Sequence, residues 1–224
     1  MFGGKGITKS YGKKKVLENV EFCLDTNKIV GIFGLNGSGK TTLLRIVSGL
    51  DGYFGGTLHK TDFEDVAYMS VDTIYPPEMR VQDVLEFHET FLPTQNTDAI
   101  KAELAETNIS LKSRLRELSS GMRQYVKFLL TVYSGAHVCL FDEPLTNLDV
   151  NLRAKVVQSL IREISQERLF VITTHEIKEI DRIIDGFYLL KNGKLSPYYE
   201  SEGIVEETGK SVEEFYKEKI NAED

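Results

Sequence analysis

The feature that most constrains this chain is a glycine-rich loop between an apolar run and a helical pattern. The apolar run is Ile29–Phe33, and it leads into Gly34-Leu35-Asn36-Gly37-Ser38-Gly39-Lys40-Thr41-Thr42. Apolar residues then recur at helical spacing at Leu43, Leu44, Ile46 and Val47. A short continuous apolar run suits a strand that is buried on both faces of a parallel sheet. The order of strand, glycine loop and helix therefore predicts an α/β sheet with a phosphate-binding loop.

The residue types in this loop explain how it would hold a nucleoside triphosphate. Glycines let the backbone curl around phosphate oxygens, and the amides and the helix N-terminus supply positive potential. Lys40 is expected to reach the β- and γ-phosphates, and the Thr41 hydroxyl is expected to ligate Mg²⁺. The predicted nucleotide-binding residues of the loop are Gly34, Leu35, Asn36, Gly37, Ser38, Gly39, Lys40, Thr41 and Thr42.

A pair of acidic residues follows a second apolar run. Asp142 and Glu143 come directly after Val138–Phe141. An aspartate at a buried strand end beside a phosphate loop can hold Mg²⁺ through water, and the next carboxylate can act as general base. An isolated Asp-Glu pair after a strand is an ordinary solvated loop. With the phosphate loop upstream, we interpret Asp142 as a metal residue and Glu143 as the catalytic base.

The order of four motifs makes the chain resemble the ATP-binding-cassette family from Tyr11 to about Leu195. Leu118-Ser119-Ser120-Gly121-Met122-Arg123-Gln124 is similar to the family signature, which is usually Leu-Ser-Gly-Gly-Gln. Asp142-Glu143-Pro144 is followed by Thr146-Asn147-Leu148-Asp149, which is similar to the family's D-loop. Thr173-Thr174-His175-Glu176 looks like its switch-histidine segment. This order is far more specific than any one of the motifs.

The resemblance implies a role for each matching residue. Tyr11 falls where the family stacks an aromatic ring on adenine, and His175 falls where it contacts the γ-phosphate and organises the catalytic carboxylate. The implied catalytic residues are Glu143, His175 and Lys40, and the implied metal residues are Thr41 and Asp142. ATP is the implied substrate and Mg²⁺ the implied cofactor.

The resemblance also implies a partner cassette. In the family two cassettes associate head to tail, and the signature of one closes over the nucleotide of the other. The residues implied to act on the partner's nucleotide are Leu118, Ser119, Ser120, Gly121 and Met122, and the D-loop residue is Asp149. The implied partner is a second ABC subunit, in a homodimer or a heterodimer.

The signature itself departs from the family pattern. Ser120 stands where Gly is usual, and Met122 stands where Gln is usual. A position that needs a positive φ would be strained with Ser, and the polar capacity of Gln is lost. We therefore expect a weaker composite site for the partner.

A second departure concerns the strand before the helical insertion, which normally ends in a Gln that touches Mg²⁺ or water. The expected position falls at Val71, or at Ser70 with a shift of one residue. Valine cannot ligate a metal, and Asp72 is a candidate substitute that the sequence does not establish. We expect the metal shell to consist of Thr41, Asp142 and waters.

The strand–helix alternation and the resemblance together predict one domain over residues 1–224. The expected fold is α/β, a P-loop NTPase sheet with an N-terminal antiparallel β subdomain and a helical insertion. Its expected parts are a nucleotide-binding core (1–71 and 135–200), a helical signature subdomain (72–134) and an acidic C-terminal tail with a short helix (201–224).

Local patterns predict several further elements. Residues 5–25 read as two strands around a turn, and a helix before Pro93 belongs to the insertion. A short helix is predicted over 176–184, and Asn192-Gly193 predicts a hairpin turn. Ser211 and Glu214 form a capping-box pattern that predicts the helix of the tail.

Charge and hydropathy limit the classes of partner and the location that we expect for this chain. The chain has 27 Lys and Arg against 34 Asp and Glu, a net charge of −7, whereas a nucleic-acid binder usually carries a basic face. No apolar run approaches the roughly 18–20 residues of a membrane span, and the start lacks the apolar stretch of a signal peptide. We expect no nucleic-acid partner and a cytoplasmic protein, peripheral on the inner face of the cell membrane.

The implied function is that of an ATP-hydrolysing subunit that powers a separate transmembrane permease. Residues 81–87 resemble cassettes of exporters, so export is expected over import. The alternative is a soluble single-cassette regulatory or assembly ATPase without transport. A third reading, a small-molecule or nucleotide kinase, needs the phosphate loop but not the signature.

Overall fold

The computed structural model describes residues 2–60, 65–72, 75–92, 94–164 and 168–221. The strands are β1 Phe2–Tyr11, β2 Lys14–Leu24, β3 Lys28–Phe33, β4 Gly55–Lys60, β5 Val66–Met69, β6 Val138–Asp142, β7 Leu169–Thr173, β8 Gly186–Lys191, β9 Lys194–Leu195 and β10 Tyr199–Glu200. The helices are α1 Lys40–Val47, α2 Val81–Phe91, α3 Thr97–Ala105, α4 Ser120–Val132, α5 Val150–Glu163, α6 Ser201–Thr208 and α7 Val212–Asn221.

The larger sheet carries the phosphate-loop strand near its centre. Its strand order is β10-β8-β3-β7-β6-β5, with β9 paired to β8, and the neighbours from β8 to β5 are parallel. Cys139 and Phe141 of β6 pack in the core cluster that contains α4 and α5, whereas Val138 and Leu140 pack in the cluster that contains α1. Both faces of β6 are therefore covered, which explains its continuous apolar sequence.

Parallel strands bring the candidate site residues to one edge of this sheet. Phe33, Asp142 and Thr173 are the last residues of β3, β6 and β7. In the register, Asp142 lies opposite Thr173, and Thr173 lies opposite Ile32. The phosphate loop and the acidic pair consequently start from neighbouring strand ends.

A smaller antiparallel sheet precedes the larger one in the chain. Its strand order is β2-β1-β4, and Tyr11 pairs with Lys14 across the first turn. The two strands predicted within 5–25 are confirmed as β1 and β2, and the sequence patterns did not predict β4. With both sheets described, the expected α/β fold with an antiparallel N-terminal part is confirmed.

Helices fill the chain between β5 and β6. These are α2, α3 and α4, with a short 3-10 turn at Leu115–Glu117 before α4. They share one apolar core, to which each helix contributes buried residues such as Val84, Ile100 and Phe128. The helical insertion is confirmed, whereas its assignment as a subdomain over 72–134 stays a prediction. Pro93, expected near the end of α2, lies outside the described residues, and α2 ends at Phe91.

The helix predicted over 176–184 is wrong. The structure has only a 3-10 turn at Ile177–Glu179, and the amides of Ile180 and Ile183 bond carbonyls three residues back. Ile177, Ile180 and Ile184 are all buried. Their spacing is the same as that of an apolar helix face, but the buried isoleucine side chains belong to a series of tight turns.

The C-terminal part follows the sequence patterns more closely. Asn192 and Gly193 both have positive φ between β8 and β9, as the predicted hairpin turn requires. Ser211 caps α7 through reciprocal bonds with Glu214, so this predicted helix is confirmed, whereas α6 was not predicted. The last residues of the tail, 222–224, lie outside the described part. Across the described residues, no helix has the length and apolar character that crossing a membrane requires.

Candidate functional site

The phosphate loop connects β3 to α1 and is shaped by its glycines. Gly37 and Gly39 have φ values of 78° and 110°, in the region that favours glycine. A Cβ on Gly34 would lie 2.3 Å from the carbonyl oxygen of Leu190, so no other residue fits there. The Ser38 hydroxyl is buried and has no hydrogen-bond partner among the described residues. An orphaned hydroxyl in such a loop fits a bound phosphate oxygen.

Lys40 is the first residue of α1 and lies across the loop. Its Nζ donates to the carbonyl oxygens of Gly34, at 2.7 Å, and Leu35, at 3.2 Å. Burial lowers the pKa of the Lys40 ammonium, and the nearby charges of Glu143 and Asp142 oppose this shift. A buried cation of this kind gains from an additional anion, and a phosphate would supply one.

Asp142 is fully buried at the end of β6 and is held by two hydroxyl groups. Thr173 Oγ1 donates to Asp142 Oδ1 at 2.7 Å, and the Tyr68 hydroxyl donates to Oδ2 at 3.2 Å. Burial raises the pKa of the Tyr68 hydroxyl, and the Asp142 charge raises it further. The Thr41 side chain is exposed at the start of α1. A carboxylate and a hydroxyl are the hard oxygen donors that Mg²⁺ prefers, so this pair fits the metal expected here.

Glu143 is turned toward His175. His175 Nδ1 lies 2.9 Å from Glu143 Oε2, while the Glu143 amide donates to the carbonyl oxygen of Thr173 at 3.0 Å. Glu143 has a φ of 53°, an uncommon backbone conformation for a residue with a side chain. Gln124 of α4 donates to the Glu143 carbonyl oxygen at 2.8 Å. The fold thus holds the Glu143 backbone from β7 and α4, while His175 contacts its carboxylate.

A cavity of about 310 Å³ joins one or two residues of several predicted motifs. It is lined by Asn36 of the phosphate loop, Ser120 of the signature, Glu143 and His175. A neighbouring cavity of about 340 Å³, also bordered by Asn36, is lined by Leu35–Ser38 and by residues of the β8–β9 turn. The structure therefore brings together the loop, the general-base candidate, the histidine and the signature helix.

Tyr11 lies apart from this group, at the β1–β2 turn. Its ring is half exposed, its hydroxyl donates to Asp51 at 3.1 Å, and Lys9 Nζ is 5.0 Å from the ring centroid. Lys14, which pairs with Tyr11 in the hairpin, lines the cavity beside the phosphate loop. Stacking of this ring on adenine stays a prediction.

The signature motif forms the N-terminus of α4. Ser119 caps the helix by accepting a bond from the Met122 amide at 3.1 Å, and Leu118 before it is buried. Ser120 is the first residue of the helix and adopts its backbone, so the strain expected there is absent. Met122 packs against the core rather than offering a polar group. A Cβ on Gly121 would lie 2.3 Å from the carbonyl oxygen of Asn147.

Asp149 begins α5 as its capping residue. Its Oδ1 accepts a bond from the Leu152 amide at 2.9 Å. The D-loop backbone just before it packs on Gly121, as the short Cβ distance to Asn147 requires. The predicted D-loop and signature are therefore in contact within one chain.

The segment after β5, where a glutamine is missing, is held through its backbone. Lys127 Nζ of α4 donates to the carbonyl oxygens of Ser70, Val71 and Asp72 at 2.8, 3.1 and 3.3 Å. Val71 is half exposed, and the Asp72 carboxylate is exposed at 3.9 Å from Arg45. No side chain of 70–72 is seen to replace glutamine, whereas Lys127 is an unforeseen contact.

Two residues of this site escaped the sequence patterns. Tyr68 reads as an apolar residue of β5, and Lys127 reads as a charged residue on an amphipathic helix. Their closeness to the site becomes visible only in the folded chain, where β5 pairs with β6 and α4 packs against both strands. The phenol hydroxyl of Tyr68, within an otherwise apolar strand, was the one available signal.

The chain is similar to proteins of one family. A family model described as ABC transporter matches residues 17–146. An ABC transporter ATP-binding protein of Methanocaldococcus jannaschii is 30% identical over 207 residues, which cover 89% of this chain and 78% of the relative. An aliphatic sulfonates import ATP-binding protein of Shouchella clausii is 32% identical over 202 residues, which cover 87% of this chain and 79% of the relative.

A solved structure supports the same architecture. It is a dimeric, post-hydrolysis ATP-binding cassette bound to ADP and Pi, and it superposes with a TM-score of 0.77 at 21% identity. The match covers 89% of this chain and 98% of the other. At this level of identity the likeness establishes the fold.

Proposed function

Since the chain belongs to the ABC transporter family and is one of its ATP-binding cassette ATPases, we propose that it binds MgATP at residues 34–42 and powers a separate membrane permease. The observation that carries this proposal is the 2.9 Å contact between His175 Nδ1 and Glu143 Oε2. It lies beside Asp142, at the edge of the sheet from which the phosphate loop also starts. A base with a positioning partner at this edge suits attack by water on a γ-phosphate.

The phosphates are bound by the loop amides and by Lys40. Lys40 Nζ donates to two neutral carbonyl oxygens, and a phosphate oxygen would offer it a stronger, charge-assisted bond. Tyr11 supplies a half-exposed ring for adenine at the β1–β2 turn, whose Lys14 lines the cavity beside the loop. Stacking on a ring of this kind contributes roughly 1–3 kcal/mol per base in other nucleotide sites.

Mg²⁺ is the cofactor that suits the oxygen donors of Thr41 and Asp142. When bound, it neutralises charge on the β- and γ-phosphates. The Asp142 carboxylate needs no reorientation, because Thr173 and Tyr68 already hold it in place. Water and phosphate oxygens would complete the shell.

Hydrolysis then uses Glu143 as the general base. The water oxygen bonds to the γ-phosphorus while its proton passes to the Glu143 carboxylate. The bond between the γ-phosphorus and the bridging oxygen breaks, its electron pair stays on ADP, and inorganic phosphate is released. His175 positions the Glu143 carboxylate through Oε2, and Lys40 stabilises the charge that develops on the phosphate oxygens.

A second cassette completes each site in this proposal. Ser119, Ser120 and Gly121 form the start of α4, and a helix N-terminus attracts the charge of a partner's γ-phosphate. The similar solved cassette is a dimer bound to ADP and Pi, which supports this arrangement. Closure then favours ATP over ADP, because only ATP offers the γ-phosphate to the facing helix.

The mechanical partner is a permease in another chain, so the cassette would act at the cytoplasmic face of the membrane. Relatives are named for transport, which supports this role. Export, expected from residues 81–87, stays a prediction, and one relative is named as an import ATP-binding protein. The direction depends on the permease, because the transported substrate contacts that chain.

The test combines turnover with partner capture. Purified chain should release inorganic phosphate from MgATP, and Lys40→Ala should abolish the release while Lys101→Ala, exposed on α3, should not. A tagged chain should capture a membrane-spanning protein from solubilised membranes. Turnover without such capture would favour the soluble regulatory ATPase, and transfer of phosphate to an acceptor would favour a kinase.

A further inference from the structure

Lys127 is placed where it can act on the nucleotide, although it belongs to none of the predicted motifs. It lies on α4, two helical turns after the signature residues that begin this helix. Its Nζ contacts the three consecutive carbonyl oxygens of residues 70–72, the segment in which the expected glutamine is replaced. One ammonium group thereby joins the signature helix to the segment after β5.

The same side chain lines the cavity of the candidate site. Lys127 shares this cavity of about 310 Å³ with Asn36, Glu143 and His175. Burial lowers the pKa of the Lys127 ammonium, Asp72 and Asp142 oppose this shift, and Arg123 reinforces it. The carbonyl oxygens that contact its Nζ are neutral, and among the described residues no carboxylate group is hydrogen-bonded to it.

We propose that Lys127 is a γ-phosphate-binding residue of this chain, which takes over the link between the nucleotide and residues 70–72 that a glutamine side chain would otherwise make. The inference rests on the proposed binding of MgATP at residues 34–42. Its ligand is the terminal phosphate group of a nucleoside triphosphate, reached across the cavity that Lys127 shares with Asn36.

The chemistry of the ammonium group explains why Lys127 would exchange a carbonyl partner for a phosphate oxygen. It has three donors and no acceptor, and a charged phosphate oxygen is a stronger partner than a carbonyl oxygen. The contact with Asp72, at 3.3 Å, is the longest of the three and the first to be given up. Movement of Nζ toward the phosphate would shift residues 70–72 relative to α4, whereas ADP, which lacks the γ-phosphate, would leave them in place.

The test compares affinities for MgATP and MgADP by isothermal titration calorimetry. All proteins carry Glu143→Gln to prevent hydrolysis during the titration. The variants are Lys127→Met, which removes the charge, and Lys127→Arg, which keeps it. Lys155→Met is the matched control, because it removes another α-helical lysine, whose Nζ contacts Glu106 just after α3.

Lys127→Met should weaken MgATP binding about 10-fold or more, since a hydrogen bond to a charged group is lost, and should change MgADP binding less than about 2-fold. Lys127→Arg should retain most of the preference for ATP, and Lys155→Met should retain all of it.

An equal loss of affinity for both nucleotides, with or without a lower melting temperature, would assign Lys127 a structural role and overturn the proposal. An unchanged preference in Lys127→Met would overturn it as well. If the parent protein with intact Lys127 binds neither nucleotide, the proposed function has failed instead.

Discussion

Thr173 donates its hydroxyl to the buried Asp142 carboxylate at 2.7 Å, so the end of β7 holds the last residue of β6. The same residue accepts the Glu143 amide on its carbonyl oxygen at 3.0 Å. One threonine therefore positions both acidic residues of the candidate site. Because Asp142 is fully buried, its carboxylate relies on protein donors such as the Thr173 hydroxyl in place of water.

Replacing this threonine tests how much the site depends on it. Thr173→Val keeps the shape but leaves Asp142 Oδ1 without its donor, so the free energy of unfolding should fall by about 1–3 kcal/mol. Urea titration measures this loss, and MgATP turnover should fall with it. Thr57→Val on the exposed surface of β4 is the control and should change neither quantity. Equal stability of the two variants would contradict the role of Thr173.

Glu143→Gln tests the general base. The amide keeps the size of the side chain but cannot accept a proton from water, so turnover should fall by about 10²-fold or more. MgATP binding should be retained, and the bound ATP should trap the dimer, which size-exclusion chromatography with light scattering detects. Glu202→Gln, exposed on α6, should behave like the unmodified chain. Turnover that survives Glu143→Gln would remove Glu143 from this role.

The proposed metal site includes Thr41 and excludes Asp72, and substitutions at the two residues test this assignment. Thr41→Ala removes a hydroxyl at the start of the phosphate-loop helix and should raise the Mg²⁺ concentration needed for half-maximal turnover about 10-fold or more. Asp72→Asn should have little effect, because the Asp72 side chain is 78% exposed and faces Arg45 at 3.9 Å. An Mg²⁺ titration of turnover distinguishes the two. A defect in Asp72→Asn as large as in Thr41→Ala would place Asp72 in the metal shell.

The contact between the signature and the D-loop predicts a steric effect. Gly121→Ala would place a Cβ 2.3 Å from the Asn147 carbonyl oxygen, so α4 or the D-loop must shift. We expect a loss of about 1–3 kcal/mol in the free energy of unfolding and lower turnover. Gly203→Ala in α6 is the matched control, since its Cβ would meet only Glu200 Cβ at 3.9 Å and alanine favours a helix. Thermal unfolding of both variants tests this prediction, and equal melting temperatures would contradict it.

The elements that the sequence predicted correctly are those with a local physical cause. β3 and β6 are continuous apolar runs, and α7 has a capping box at Ser211 and Glu214. These patterns act within a few residues of one another, so they can be read from the chain alone. The fold class followed from their order and from the motif resemblance.

The elements that escaped prediction depend on distant parts of the chain. β4 begins with two glycines, which argue against a strand, and it forms because β1 offers it an edge. The stretch 176–184 has helical spacing of isoleucines, but the core around Ile177 and Ile180 holds it in tight turns. The contacts of Tyr68 with Asp142 and of Lys127 with residues 70–72 span 74 and 55 to 57 positions. No local pattern reports such contacts.

The left-handed backbone at Glu143 bears on how such a chain could lose hydrolysis and keep its fold. Holding a residue with a side chain at a φ of 53° costs about 1–2 kcal/mol, which glycine would not incur. Glutamate and glycine codons differ by a single base, so one mutation removes the carboxylate and relieves the strain together. A single substitution at this turn could therefore produce a cassette that binds nucleotide and dimerises but no longer hydrolyses ATP.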